Sequence, residues 1–202
     1  MASIKQQLEH LKQDKKLAGI IDAVGILKGK KHEDLYLALQ KSIVSQQLSV
    51  KAAATIWGRF ESLFPENYPH PELVLKMDVE KMRAAGLSYQ KAGYIQNIAR
   101  FSKEETLDYH KLKKLNDEEL ITYLTRIKGV GRWTTEMVLM FTLGRENVLP
   151  VDDLGIQTAM IRLYNIKADK KQLKAKMFRH AQKWEPYRTL ACKYLWRYKD
   201  TK

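Results

Sequence analysis

Cysteine is almost missing from this 202-residue chain. The single Cys192 excludes an internal disulfide, a multi-cysteine zinc site and a cysteine-ligated iron–sulfur cluster, and it suits a reducing compartment. Long apolar runs are missing too. Nothing approaches the ~20 consecutive apolar residues of a membrane span, and the opening Met1-Ala2-Ser3-Ile4-Lys5-Gln6-Gln7 lacks the apolar core of a secretory signal. These absences read as a soluble, intracellular protein. Proline is sparse: three of the five residues fall in Pro65-Glu66-Asn67-Tyr68-Pro69-His70-Pro71, so no proline-rich linker or repeat array divides the chain. Negative charge is the last deficit. Aspartate and glutamate number 23 against 36 lysines and arginines, which leaves +13 at neutral pH and a pI near 9.7. Such a balance favours polyanionic partners, nucleic acid first, then a ribosome or an anionic membrane surface, because clustered cations release counterions condensed on phosphates.

What is present is a globular composition with helical periodicity. Apolar residues make up 45 % and the mean hydropathy is −0.45, too apolar for a disordered basic tail. The length suffices for one sizeable domain, or for two small halves sharing a cleft. Leu35/Leu39/Ile43, Ala53/Ile56/Trp57/Phe60 and Ala92/Ile95/Ala99 each recur at three or four residues, the period of one helix face. The fold class is therefore all-α. Ser49, Ser88 and Asn116, the last with Asp117-Glu118-Glu119 behind it, stand where helix N-caps are expected. Trp57 and Trp184 are assigned to the core. Lys28-Gly29-Lys30-Lys31, Lys111-Leu112-Lys113-Lys114 and Asp169-Lys170-Lys171 are read as solvated surface.

The most informative stretch runs from Asn116 to Ile161. Leu120, Ile121, Leu124 and Ile127 form one apolar stripe and Trp133, Met137, Met140 and Phe141 a second, with Lys128-Gly129-Val130-Gly131 between them. The pattern predicts helix, glycine hairpin, helix. Two glycines one residue apart allow a turn whose amides face outward at a helix N-terminus, where free N–H groups and the helix dipole bind a phosphate oxygen. An ordinary tight connection between helices is the plainer reading of Gly-Val-Gly alone. Downstream, Leu149-Pro150-Val151-Asp152-Asp153-Leu154-Gly155-Ile156 sets two carboxylates before another helical stripe. Capping is the ordinary use of aspartate there. Two adjacent acids in so basic a chain allow one to cap while the other acts.

Together these residues resemble a known family. Leu124-Thr125-Arg126-Ile127-Lys128-Gly129-Val130-Gly131-Arg132-Trp133-Thr134, followed by Pro150-Val151-Asp152-Asp153-Leu154, is similar to the helix–hairpin–helix, Gly/Pro-rich loop and aspartate of the DNA glycosylase superfamily, in its 3-methyladenine DNA glycosylase II branch. Ser42-Ile43-Val44-Ser45-Gln46-Gln47-Leu48-Ser49, Gly86-Leu87-Ser88-Tyr89-Gln90-Lys91-Ala92 and Trp184-Glu185-Pro186-Tyr187-Arg188 extend the resemblance over residues 30 to 199. It implies a two-lobed, all-α glycosylase fold with a cleft between the lobes. Residues 1–202 would form a single compact glycosylase unit with its helix–hairpin–helix at about 117–143, and no additional N-terminal domain fits in the first thirty residues.

The resemblance also implies roles. Asp153 matches the catalytic aspartate, with Asp152 as its structural neighbour. Gly129, Val130 and Gly131 match the hairpin whose amides hold the DNA backbone, and Thr134 joins them as a DNA contact. The carbonyls of Thr125, Ile127 and Val130 match a site for Na+ or K+, a structural ion and not a required cofactor. Gln47 falls where the family inserts a side chain into the gap left by a flipped nucleotide; by itself it reads equally as a helix-capping glutamine. Trp133, Met137 and Trp196 match the lesion pocket, Met137 replacing an aromatic, while Trp196 read alone is also a packing residue at the margin of the stripe Tyr187/Leu190/Ala191/Tyr194/Leu195/Tyr198.

Trp133 stands where backbone-cutting relatives carry a Schiff-base lysine, so the implied enzyme is monofunctional, with water as acceptor and an abasic site as product. Its substrate would be duplex DNA carrying N3- or N7-alkylated purines, with deaminated or etheno bases as further candidates, bound by a monomer without a membrane. That places it in base excision repair, cytoplasmic with the nucleoid, or nuclear in a eukaryote. Alkylation makes the purine cationic, so it departs neutral and needs no general acid; a carboxylate then stabilises positive character at the sugar C1′ and orients water. The alternative reading is a helix–hairpin–helix module that binds DNA or RNA without catalysis, which leaves Asp152-Asp153 and the pocket aromatics unexplained.

Overall fold

Capping side chains set most of the helix starts. The structure, a computed structural model, describes residues 2–27 and 33–200; the Lys28-Gly29-Lys30-Lys31 tract lies outside them, as does the Lys170 side chain. Among the described residues run α1 (Ile4–Leu11), α2 (Lys15–Val24), α3 (Leu35–Ser45), α4 (Val50–Glu61), α5 (Pro71–Lys76), α6 (Val79–Ala84) and α7 (Tyr89–Glu104). They continue with α8 (Tyr109–Leu112), α9 (Asp117–Leu124), α10 (Arg132–Phe141), α11 (Leu154–Tyr164), α12 (Lys170–Ala181) and α13 (Arg188–Asp200), and no strand occurs among them. Ser3, Ser49, Ser88, Asn116 and the aspartates Asp14, Asp34, Asp78, Asp108, Asp153 and Asp169 each accept a hydrogen bond from a first-turn amide. A cap of this kind stabilises its helix by about 1 kcal/mol. Much of the scarce negative charge is thus placed at positive helix ends. None of the described helices is long and apolar enough to cross a membrane.

The chain divides into two compact units, one of residues 31–143 and one of residues 1–30 with 144–202. In the first, α3 packs against α4, α7 and α10, α5 and α6 lie on α7, and α9 lies on α10. Leu35, Leu39 and Ile43 of α3 and Ala92, Ile95 and Ala99 of α7 are buried together with Trp57 and Phe60, as the periodicity predicts, while Ile56 is only half-buried and its side chain lies over Gly86.

In the second unit, α2 and α11 both pack on α13 and α1 packs on α2. Trp184 is fully buried. Asp14 ties the N-terminal segment to the C-terminal helices. Its Oδ1 caps α2, and its Oδ2 accepts hydrogen bonds from the Tyr164 hydroxyl, the Trp184 indole N–H (2.9 Å) and the Lys183 ammonium (3.0 Å). Burial alone pushes this carboxyl up, but the donors from Tyr164, Trp184 and Lys183 outweigh it and hold the group below its ordinary value.

Candidate active site

The expected site residues fall in both units. In the unit of residues 31–143, the chain leaves α9 through a turn in which the Ile127 N–H donates to the Leu124 carbonyl (3.1 Å) and the Val130 N–H to the Ile127 carbonyl (2.9 Å). Gly129 adopts φ +104°, and a Cβ there would sit 2.1 Å from Cγ of Tyr94, so both backbone and packing demand glycine. Gly131 is different. Its φ of −101° is open to any residue, and nothing lies within 4 Å of where its Cβ would stand. It is the N-cap of α10, and no side chain caps that helix. The missing side chain at 131 therefore answers no demand of the fold; it leaves the positive end of α10 uncovered, the arrangement that binds a phosphate oxygen.

One of the expected hairpin contacts, the Val130 amide, is corrected. Val130 uses its amide inside the turn and is 4 % exposed, so it does not present that amide to a ligand. Thr134 is 1 % exposed, and its hydroxyl accepts a hydrogen bond from Nε2 of Gln46 at 3.0 Å. Its side chain faces the protein interior.

Gln46 and Lys91 hold the hairpin side of this unit together, a role that sequence reasoning missed. Gln46 is the C-cap residue of α3, and its amide also approaches the Gly129 carbonyl at 3.4 Å, linking the end of α3 to the hairpin. Lys91 donates to the carbonyls of Val44 (2.7 Å) and Gln46 (2.8 Å), and burial pushes its ammonium below the usual lysine range. These bonds hold the chain just before Gln47, which sits exposed at φ +57°. The capping reading of Gln47 is thereby set aside, since its neighbour occupies the cap. On α10, Trp133 is half-buried and Met137, one turn later on the same face, is 9 % exposed. Phe141, counted in their stripe, is 46 % exposed at the last position of the helix.

In the other unit, the two adjacent aspartates differ. Asp152 is exposed and pairs with Lys174 at 2.5 Å. Asp153 is half-buried; its Oδ1 accepts the Ile156 N–H (2.8 Å), which caps α11, and also the Trp196 indole N–H (2.9 Å) from α13. Capping and the role expected of the acting carboxylate thus fall on one residue, where the sequence suggests a division between two. Leu190, Ala191, Tyr194 and Leu195 of α13 are buried as the stripe predicts, whereas Tyr187 precedes the helix and Trp196 is half-buried. Leu154, directly after Asp153, is 75 % exposed, a feature without any sequence signal.

A chain that is all-helical among its described residues, with an uncapped glycine hairpin followed by an aspartate held at a helix start, defines a helix–hairpin–helix protein. The chain belongs to the HhH-GPD superfamily of base excision DNA repair proteins, whose family model matches residues 40–186. It is 39 % identical over 164 residues to DNA-3-methyladenine glycosylase 1 of Schizosaccharomyces pombe, covering 80 % of this chain and 71 % of that one. It is 37 % identical over 169 residues to YfjP of Bacillus subtilis, a protein named only provisionally as a DNA-3-methyladenine glycosylase, covering 81 % of this chain. The match spans 58 % of that relative's length. Among solved structures, 3-methyladenine DNA glycosylase Mag1 of Schizosaccharomyces pombe in complex with abasic DNA superposes with a TM-score of 0.88 at 34 % identity, covering 98 % of this chain and 100 % of that one.

Proposed function

We propose that this protein is a monofunctional DNA glycosylase that hydrolyses the N-glycosidic bond of alkylated purines in duplex DNA and leaves an abasic site, as a step of base excision repair. The observation that carries this reading is Asp153, a carboxylate held by donors from two helices in a +13 chain of the HhH-GPD superfamily. The N3- or N7-alkylated purine carries its own positive charge and leaves as a neutral base. Asp153 then faces positive character at C1′, stabilises it electrostatically and orients the attacking water. Trp133, Met137 and Trp196 offer apolar and aromatic surface to an electron-poor base taken out of the stack. Trp133 has no amine and cannot form an imine with the sugar, which supports water as the acceptor.

The uncapped start of α10 at Gly131 supports phosphate binding there, and exposed Gln47 suits insertion beside the vacated base. A Na+ or K+ fits the hairpin on the same ground. The Ile127 carbonyl accepts one hydrogen bond, and those of Thr125 and Val130 accept none among the described residues. Such an ion adds positive field beside a phosphate. The protein acts as a monomer where the cell keeps its DNA.

The deciding experiment measures methylpurine release from methylated duplex DNA. Wild type releases base, Asp153→Asn falls at least ~100-fold, and Asp152→Asn stays within about twofold because it loses only an exposed ion pair. No release by wild type leaves a non-catalytic DNA-binding module, and a borohydride-trapped adduct with abasic DNA refutes monofunctional chemistry.

A further inference from the structure

We propose that Gly155 is a positioning residue for the reaction: the missing side chain at 155 is the space through which the Trp196 indole N–H reaches and orients the Asp153 carboxylate. This rests on Asp153 being the acting group. A Cβ at Gly155 would stand 2.9 Å from Oδ1 of Asp153, 3.0 Å from Cδ1 of Trp196 and 3.2 Å from its Nε1. All three nearest atoms belong to this one pair, so the gap serves their contact and not the general approach of α13 to α11. The backbone makes no demand for glycine, since Gly155 is the second residue of α11 and carries no positive φ. Glycine is a poorer helix former than alanine. A fold that needed only a helix here would be better served by a methyl group.

Oδ1 of Asp153 accepts two hydrogen bonds of different origin. The Ile156 N–H, at 2.8 Å, comes from the helix that Asp153 itself begins; the Trp196 N–H, at 2.9 Å, comes from a residue 43 positions away. The first alone is an ordinary cap. With the second, rotation about Cβ–Cγ is fixed from two sides, so the plane of the carboxylate, and with it the direction of the second oxygen, is set before substrate arrives. Donors to an ionised carboxylate are the stronger class of hydrogen bond, and catalysis by a positioned charge loses rate steeply when the charge is displaced. Trp196 then acts through the edge of its ring, whatever its face does toward a base.

The test compares Gly155→Ala, Trp196→Phe and the double variant of the full chain. The readouts are single-turnover release of methylpurine, Kd for an abasic duplex, and the indole ¹⁵N–¹H resonance of Trp196. Gly155→Ala is expected to slow excision about 10- to 100-fold, with Kd within about threefold. Trp196→Phe keeps an aromatic face but lacks the N–H, and is expected to slow excision similarly. Adding Gly155→Ala to it costs less than about threefold more, because both changes remove the same contact. The Trp196 resonance shifts in Gly155→Ala and in Asp153→Asn alike. Excision by Gly155→Ala at the wild-type rate, multiplicative single effects, or an unmoved resonance overturns the proposal. If wild type releases no methylpurine, the proposed function fails, and the resonance still decides whether Gly155 governs this contact.

Discussion

Replacing Gly129 and Gly131 by alanine, one at a time, separates what the hairpin needs in order to fold from what it needs in order to bind. At Gly129 the methyl group arrives with φ +104° and 2.1 Å from Cγ of Tyr94. A left-handed conformation costs a residue with a Cβ roughly 1–2 kcal/mol. Crowding a packed site adds about 1–3 kcal/mol, here against the base of the ring, whose hydroxyl end also accepts a hydrogen bond from Gln90 at 2.7 Å. Alanine returns about 0.4–1 kcal/mol by restricting the unfolded chain. The net loss is about 2–4 kcal/mol, and at about 2–4 °C per kcal/mol for a chain of this size Tm falls by roughly 4–15 °C. Gly131 meets neither obstacle, so Gly131→Ala leaves Tm within about 2 °C. Its methyl group instead stands at the N-cap of α10, where it is expected to hold a phosphate away. Loss of one hydrogen bond to a charged group, about 1.5–3 kcal/mol, weakens binding to an abasic duplex about 10- to 100-fold. Calorimetry and fluorescence anisotropy on both variants check this. A Gly131→Ala protein that binds as tightly as wild type, or a Gly129→Ala protein with unchanged Tm, refutes the division.

Two further outcomes follow from half-buried Lys91 and buried Asp14. Lys91→Met loses the clamp on the carbonyls of Val44 and Gln46 and is expected to destabilise by about 1–3 kcal/mol. The slope of log Kd against log salt stays unchanged; a slope smaller by about 0.9 would place Lys91 on a phosphate instead. Asp14→Asn is expected to cost about 2–4 kcal/mol at neutral pH, because three donors lose an ionised acceptor. The Asp14 carboxyl titrates lower in the folded chain than in the unfolded one, so its stabilisation is present above the unfolded value and drains as pH falls through the folded one. Wild type therefore loses Tm more steeply than Asp14→Asn below about pH 4, and parallel melting curves refute that account.

Local chemistry explains what was legible in the sequence. Ser49, Ser88 and Asn116 cap the helices they precede because capping is decided within three residues, and the faces of α3 and α7 are buried because periodicity is decided within one helix. Long-range partners were not legible. Lys91 lies 47 and 45 positions from the carbonyls it clamps, and by composition it is one more cation in a chain rich in them. Gly129 and Gly131 look equivalent in Gly-Val-Gly, yet one is fixed by Tyr94, 35 positions earlier, and the other by nothing in the chain. The inward-facing side chain of Thr134 was hidden for the same reason: its partner Gln46 is 88 positions away.

The hardest distinction lay between an aspartate that only caps and the one proposed to act, because on this chain they share a form. Asp14 and Asp153 both begin a helix, and both accept a tryptophan indole N–H from the C-terminal residues, Trp184 in one case and Trp196 in the other. They differ in what surrounds them. Asp14 is 5 % exposed and takes its indole on the oxygen opposite the cap, together with Tyr164 and Lys183. That carboxylate is consumed by the fold, and closing it off makes it a tie between chain segments. Asp153 is half-buried and takes cap and indole on the same oxygen, beside Gly155. Both aspartates cap the helices they begin. Which of them can act depends on the number and placement of donors brought in from other helices.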